Sequence, residues 1–345
     1  MVKEWLFCAS LAGLMATSIF LKRFPLYEEK DFRILFLLLV QFVLIKGLEN
    51  AGLFENLAAF LRSQKRIHLK LLAATFLLAP FITNDLALLV VCPLALNLEL
   101  THQEIFFSLL AIAANAGSAL TPTGNPQNLF LYWFYQLKFG EFLAKIAPLG
   151  LCSAFLCLTL AFFLFPKDLG LQGRKGKPVL TPGLFLHLSL FLVGLALTLG
   201  FIPLWCGGVL LGLSFLADRK NLKVDYFLLA TFFCLFGFTD NLRFILKARL
   251  EEPHHVFWLA AFLSQFMSNV PATLLLADFT QNWPALLWGV NVGGFGNLIG
   301  SLANLIAYRF YLLRRGSTIK FLFWFHLLGY LFFALGATLY FVTVK

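Results

Sequence analysis

The stretch NAGSALTPTGNPQNLFLY, Asn115 to Tyr132, decides the reading of this chain, because a diverged copy, NVGGFGNLIGSLANLIAY, runs from Asn291 to Tyr308. At a constant offset of 176 residues, Asn115 matches Asn291, Gly117 matches Gly293, Gly124 matches Gly300, Asn128 matches Asn304 and Tyr132 matches Tyr308. Both stretches set Gly, Asn, Ser or Thr in the middle of runs otherwise apolar enough to cross a bilayer. A helix interrupted at that depth frees backbone N–H and C=O groups, which is tolerated only where protein or a wet cavity satisfies them. Two interruptions at corresponding places in two halves are the best sequence pointer to the binding site of a membrane carrier.

Composition sets the class. The chain has 345 residues, of which 60% are hydrophobic and 13% charged, against about 25% charged in soluble domains. This describes an all-α polytopic membrane protein. The 42 Phe residues read as lipid-facing filler. The net charge of +10 comes from 27 Lys and Arg that lie in short loops between apolar runs, a positive-inside pattern and not a nucleic-acid surface. Cys8, Cys92, Cys152, Cys157, Cys206 and Cys234 lie in apolar segments without CxxC spacing, so they read as small hydrophobes and not as metal ligands or disulfides. No cofactor is expected. The run Trp5–Leu21 lacks a clear small-residue cleavage site and reads as a retained first span, with a removed signal peptide as the alternative.

In chain order, spans are expected at about 5–21 and 33–50, followed by the basic stretch RSQKRIHLK at 62–70. Residues 71–96 carry Thr83-Asn84-Asp85 at their centre, and each half is shorter than the roughly 20 residues a crossing needs. A re-entrant helical hairpin (69–98) is therefore expected. A broken span (104–137) and a span at 142–166 complete a first repeat, 33–166, after the first span and outer loop, 1–32. The polar loop 167–178 opens a linker, 167–224, with spans at 183–200 and 202–217. A second repeat, 225–345, holds a span at 225–245, a hairpin (254–279) tipped by Ser268-Asn269-Val270-Pro271, a broken span (283–313) and a last span at 320–343. This gives about nine spans plus two hairpins. Of the 27 Lys and Arg, 16 then fall on the inner side and 9 on the outer, with Lys46 and Arg243 near helix ends. The bias places the N-terminus inside and the C-terminus outside an inner membrane, and it makes the two repeats inverted.

The polar residues of these elements are the candidate site. A half-helix ending in the membrane offers unpaired N–H groups to anions at its start and C=O groups to cations at its end. Thr121, Thr123, Gly124, Asn125, Gln127 and Asn128 in the first break, and Asn297, Gly300, Ser301 and Asn304 in the second, add hydroxyl, amide and backbone groups; Asn115, Gly117, Asn291 and Gly293 precede them. Thr83, Asn84, Ser268 and Asn269 stand at the hairpin tips. Interhelical bonding and small-residue packing are the plainer reading of each alone; their pairwise recurrence favours a site. Asp85, a carboxylate at a mid-membrane tip, is functional by default: it is a candidate to bind a cation such as Na⁺ or to carry a proton, the alternative being a buried structural partner. Asn84, Asp85, Asn125 and Asn269 are the candidate Na⁺ ligands. Lys46 with Glu49, and Asp240 with Arg243, read as i,i+3 ion pairs near helix ends. His254-His255 reads as a solvated helix start.

FITNDLALLVVCPLAL (81–96), ALTPTGNPQNLFLYW (119–133), FLSQFMSNVPATLLLADF (262–279) and NVGGFGNLIGSLANLIAY (291–308) resemble the signature stretches of the ion transporter superfamily. That group includes citrate-transporter-like permeases, arsenite permeases, NhaD-type sodium/proton antiporters and divalent anion/sodium symporters. The resemblance implies a scaffold and a moving transport domain, often in a homodimer, working by an elevator-like motion. It also implies that Asn84 and Asn269, with Thr83 and Ser268, stand where the divalent anion symporters bind substrate and Na⁺ through Ser-Asn-Thr tips, and that the loop Gly124–Asn128 matches a sodium-site loop. Asp85 and Val270 replace the third tip residue, which points toward the branch with Asn-Asp tips. At 345 residues the chain is short for the group, implying fewer peripheral helices. The expected function is secondary active transport of a small anion, a di- or tricarboxylate or an oxyanion, coupled to Na⁺ or H⁺. The alternative is a cation/proton antiporter using Asp85. An intramembrane enzyme is disfavoured by the lack of paired aspartates, a GxSx nucleophile or HExxH, and a channel fits two broken repeats poorly.

Overall fold

The computed structural model describes residues 5–62, 66–98, 100, 102–165, 179, 181–246, 249–313 and 317–344. Among them the chain is helical, without strands. The basic loop 167–178, and Lys3, Lys65, Lys247, Arg314, Arg315 and Lys345 of the charge count, lie outside the described residues.

The helices are α1 Trp5–Leu21, α2 Glu29–Asn50, α3 Leu53–Arg62, α4 Ile67–Ile82, α5 Asn84–Ala95, α6 Gln103–Ser118, α7 Pro126–Phe134 and α8 Phe139–Leu164. There follow α9 Pro182–Thr198, α10 Cys206–Ala217, α11 Tyr226–Leu246, α12 Pro253–Met267, α13 Asn269–Ala277, α14 Trp283–Gly293, α15 Leu302–Leu313 and α16 Thr318–Thr343. Local chemistry explains the boundaries. α7, α9, α12 and α14 each carry Pro in their first turn, where its missing N–H costs nothing. Asn125 Oδ1 and Thr181 Oγ1 cap α7 and α9 by accepting from Asn128 N and Leu184 N. α8, α16 and α11 with its preceding 3₁₀ turn are long and apolar enough to cross a membrane unaided; α4, of 16 residues, rises only about 24 Å against a hydrocarbon core of about 30 Å.

Element order repeats: a helix (α2, α11), two helices joined through one residue (α4–α5, α12–α13), a broken pair (α6–α7, α14–α15) and a long helix (α8, α16). Packing divides the helices into two groups. α1 packs on α11, and α2 on α9 and α10. The second group binds α4, α5, α6 and α8 to α12, α14, α15 and α16. α7 and α13 meet α2 and α11 at the boundary. The broken spans occupy the centre of the second group: every residue of α6 from Ile105 to Ser118 is buried, as is every residue of α14 from Ala285 to Gly293. A helix apolar all round belongs inside a protein or a membrane, and here it is inside.

Several expectations change. α3 was not foreseen; it is a one-sided helix in which Leu53, Phe54 and Leu57 pack on the core. Phe serves on both sides: Phe20, Phe155 and Phe163 face outward, as the lipid-facing reading expects, while Phe106, Phe107, Phe257, Phe295 and Phe325 are fully buried. Cys92, Cys157 and Cys234 are buried, but Cys8 and Cys152 are exposed; all six are free. Lys46 and Glu49 pair at 2.9 Å, whereas Asp240 and Arg243 do not pair with one another. Asp240 instead holds Arg23 and Leu26 N, and Arg243 faces Asp278 at 3.8 Å.

Candidate functional site

The tips come first. Thr83 (φ 77°, ψ 154°) and Ser268 (φ 73°, ψ 159°) are the single residues that end α4 and α12 and start α5 and α13. Both occupy a backbone region used almost only by glycine, at a cost of order 1–3 kcal/mol each. Neither is glycine, yet both adopt the same torsions at corresponding places. Strain of this kind persists only where the surroundings over-determine it, and it clusters at binding sites.

The broken spans are tied to each other by matched bonds. Asn115 Nδ2 donates to Asn304 Oδ1 at 2.8 Å, and its counterpart Asn291 Nδ2 donates to Asn128 Oδ1 at 3.0 Å. Asn128 Nδ2 reaches back to the carbonyls of Ser118 (3.2 Å) and Thr121 (3.4 Å); Asn304 Nδ2 reaches those of Gly294 and Asn297 (2.9 Å each). The Ser118 and Gly294 carbonyls, at the ends of α6 and α14, are of the kind a helix leaves unpaired when it stops, so each asparagine seals its own break. Gly117 and Gly293 let α4 and α12 lie close against α6 and α14: a Cβ would lie 2.2 Å from the Phe76 carbonyl oxygen and 2.8 Å from that of Ala261, respectively.

The tips converge on this centre. Asn84 Nδ2 donates to Asn115 Oδ1 at 3.0 Å, which also accepts from Ser301 Oγ at 2.9 Å. Asn269 N donates to the Gly300 carbonyl at 3.0 Å. Thr121 and Thr123 hydroxyls both cap the Pro80 carbonyl. Gly124 ends the 3₁₀ turn Pro122–Gly124, and Asn125 Nδ2 reaches Ser118 Oγ. Two buried atoms here, Asp85 Oδ1 and Gln127 Nε2, have no hydrogen-bond partner among the described residues. Asp85, in the first turn of α5, thus has a carboxylate oxygen that water does not reach and no donor satisfies.

Gln41 and Gln265 were not singled out in the sequence. Gln41 Nε2 crosses from α2 to the Thr123 carbonyl at 2.6 Å, and Gln265 Nε2 donates to the Gly293 carbonyl at 2.6 Å. Each is a lone amide in an apolar run, and that is the signal that could have found it. A cavity of about 640 Å³ lies elsewhere. It is lined by Arg23, Asp240, Arg243, Arg249, Glu251 and Asp278 among others, and shares no residue with the tips or breaks.

Over residues 6–283 the sequence matches the model of the citrate transporter family. The chain belongs to the citrate transporter family. Its relatives include the inner membrane protein YbiR of Escherichia coli, 37% identical over 297 residues, covering 77% of this chain and 76% of that one. An uncharacterized transporter of Methanocaldococcus jannaschii is 33% identical over 293 residues, 81% of each chain. The silicon efflux transporter LSI3 of Oryza sativa subsp. japonica is 32% identical over 150 residues, 41% of this chain and 31% of that one. The protein is therefore a multi-pass membrane transporter of the citrate transporter family and not an enzyme.

Proposed function

We propose that this member of the family is a secondary active carrier of a small anion, a di- or tricarboxylate or an oxyanion, driven by Na⁺ or H⁺ across the inner membrane. The observation that carries the reading is the pair of glycine-like backbones at Thr83 and Ser268, each starting a short helix beside a broken span. The N-terminal ends of α5 and α13 turn their positive dipole ends toward the breaks, which suits an anion, although Asp85 N is held by Asn84 Oδ1 and Asn269 N by the Gly300 carbonyl. Asp85 supplies one buried negative charge that needs a counter-ion, which is the role of a coupling cation or proton.

In this reading α4–α5 and α12–α13 are re-entrant hairpins and the halves are inverted across the membrane. The α4–α8 and α12–α16 group moves against the group holding α1, α2, α9, α10 and α11. The bonds from Gln41 to Thr123 and from Tyr132 Oη to the Leu199 carbonyl cross that boundary and must exchange during the motion. The scaffold would carry a homodimer contact. A cation/proton antiporter centred on Asp85 is the second reading, favoured by the missing partner of its Oδ1.

Uptake into proteoliposomes tests the choice, with labelled citrate, succinate and silicate as probes and Na⁺ and pH gradients imposed separately. Gradient-driven accumulation of one probe supports the carrier. Proton movement triggered by Na⁺, with no probe accumulated, replaces it with the antiporter.

A further inference from the structure

The run that ends the first broken span, Tyr132-Trp133-Phe134-Tyr135, holds other elements with each of its four side chains. Tyr132 Oη donates to the Leu199 carbonyl at 3.0 Å, and Trp133 Nε1 donates to the Thr198 carbonyl at 2.9 Å. Both acceptors lie at the C-terminal end of α9, where a helix leaves its carbonyls without partners. Lys30 Nζ of α2 stands 4.4 Å from the centre of the Phe134 ring, and the Arg33 guanidinium 5.9 Å from that of Trp133, both within reach of cation–π attraction. Tyr135 Oη turns the other way, donating to the Ala277 and Thr280 carbonyls after α13 at 2.9 and 3.0 Å. One aromatic run thus caps the end of α9 on one side and the end of α13 on the other.

The counterpart run in the second half does not do this. At the offset of 176 it reads Tyr308-Arg309-Phe310-Tyr311. Tyr311 Oη donates to the Ser317 carbonyl at 3.3 Å, and the rings of Tyr308 and Tyr311 lie 5.1 and 4.9 Å from that of Phe321 in α16. Among the described residues this run makes no hydrogen bond to α1, α2, α9, α10 or α11. The two broken spans are therefore attached unequally: the end of α7 is fastened to α9 and α2, and the end of α15 is fastened within its own packing group. Where two groups move against one another, contacts made in one arrangement only shift the balance toward that arrangement.

We propose that Tyr132, Trp133 and Phe134 form a clasp that holds the moving group at the end of its travel represented by this structure, so that these residues set how much of the carrier rests in this state. They are positioning residues. The proposal rests on the moving-group reading above.

Tyr132→Phe with Trp133→Phe removes both donors and keeps both positions aromatic. Spin labels on Lys138→Cys, at the start of α8, and Phe201→Cys, beyond α9, report the separation of the two groups from two exposed positions. Cys8, Cys152 and Cys206 are replaced by alanine, and pulsed dipolar spectroscopy in proteoliposomes gives the populations. The component matching this structure should dominate in the protein with the clasp intact. Two interhelical bonds of average strength correspond to about an eightfold change in an equilibrium, so the double variant should shift the ratio away from that component by about eightfold. Tyr311→Phe removes a bond inside the moving group and should leave the ratio unchanged. If the double variant does not fold, either single substitution, expected at about threefold, decides. Two components in a ratio that the clasp variants leave unchanged overturn the inference alone, as does an equal shift in Tyr311→Phe. A single component in every protein, whatever gradient or probe is imposed, defeats the moving-group reading and this inference with it.

Discussion

Asn115→Ala and Asn291→Ala are equivalent substitutions in sequence and should be unequal in cost. Asn115 makes four side-chain bonds to other elements: from Asn84 Nδ2 (3.0 Å) and Ser301 Oγ (2.9 Å), and to Asn304 Oδ1 (2.8 Å) and the Gly294 carbonyl (3.3 Å). Asn291 makes one, to Asn128 Oδ1 at 3.0 Å, its other bond being to Leu287 within α14. Interhelical bonds in membrane proteins average about 0.6 kcal/mol, which puts Asn115→Ala at about 2.4 kcal/mol and Asn291→Ala at about 0.6 kcal/mol. Each variant also orphans one buried acceptor, Asn304 Oδ1 or Asn128 Oδ1, at about 1–3 kcal/mol, so the difference between them rests on the other bonds of Asn115. Reversible unfolding in bicelles gives both values. Equal losses, or a larger loss for Asn291→Ala, would refute the claim that Asn115 is the hub joining the first tip to both breaks.

Gly117→Ala sets a Cβ against the Phe76 backbone, which cannot rotate away, so a loss of roughly 1–3 kcal/mol is expected from overpacking. Gly140→Ala in α8, where a Cβ meets nothing within 4 Å, should be neutral or stabilising, and comparing their melting temperatures checks both. Asp240→Ala removes the partner of Arg23 and Leu26 N, so limited proteolysis should cut within residues 22–28 before any site cut in the wild type. Asp278, in the turn after α13, has its carboxyl raised above the usual range by burial, with Lys30 and Arg243 opposing and Glu28 and Asp240 adding. A raised acid favours the folded state while protonated, so this contribution is present in acid and fades as pH rises through its titration. Asp278→Asn should flatten the melting temperature against pH over that range; an unchanged slope contradicts the assignment.

Much of this was legible because membrane depth makes polar residues costly, so Thr83-Asn84-Asp85, Ser268-Asn269 and both breaks stand out against apolar runs. Their offsets paired Asn115 with Asn291 and Asn128 with Asn304 as counterparts. What spacing cannot express is which counterpart a side chain bonds: Asn115 reaches Asn304, not Asn291. Asp240 and Arg243 failed for the same reason, since i,i+3 neighbours were available but distant Arg23 and Asp278 took them. α3 was hidden by its closeness to the basic stretch, and Gln41 and Gln265 by being single residues whose targets are backbone carbonyls 82 and 28 positions away. Backbone acceptors leave no mark in a sequence.

The central claim is that one buried carboxylate couples an ion gradient to movement of an anion. Wild type and Asp85→Asn, reconstituted side by side, should be given a labelled anion and an imposed Na⁺ or pH gradient. The account predicts accumulation above the outside concentration by the wild type and none by Asp85→Asn. Equal accumulation by the two would contradict it.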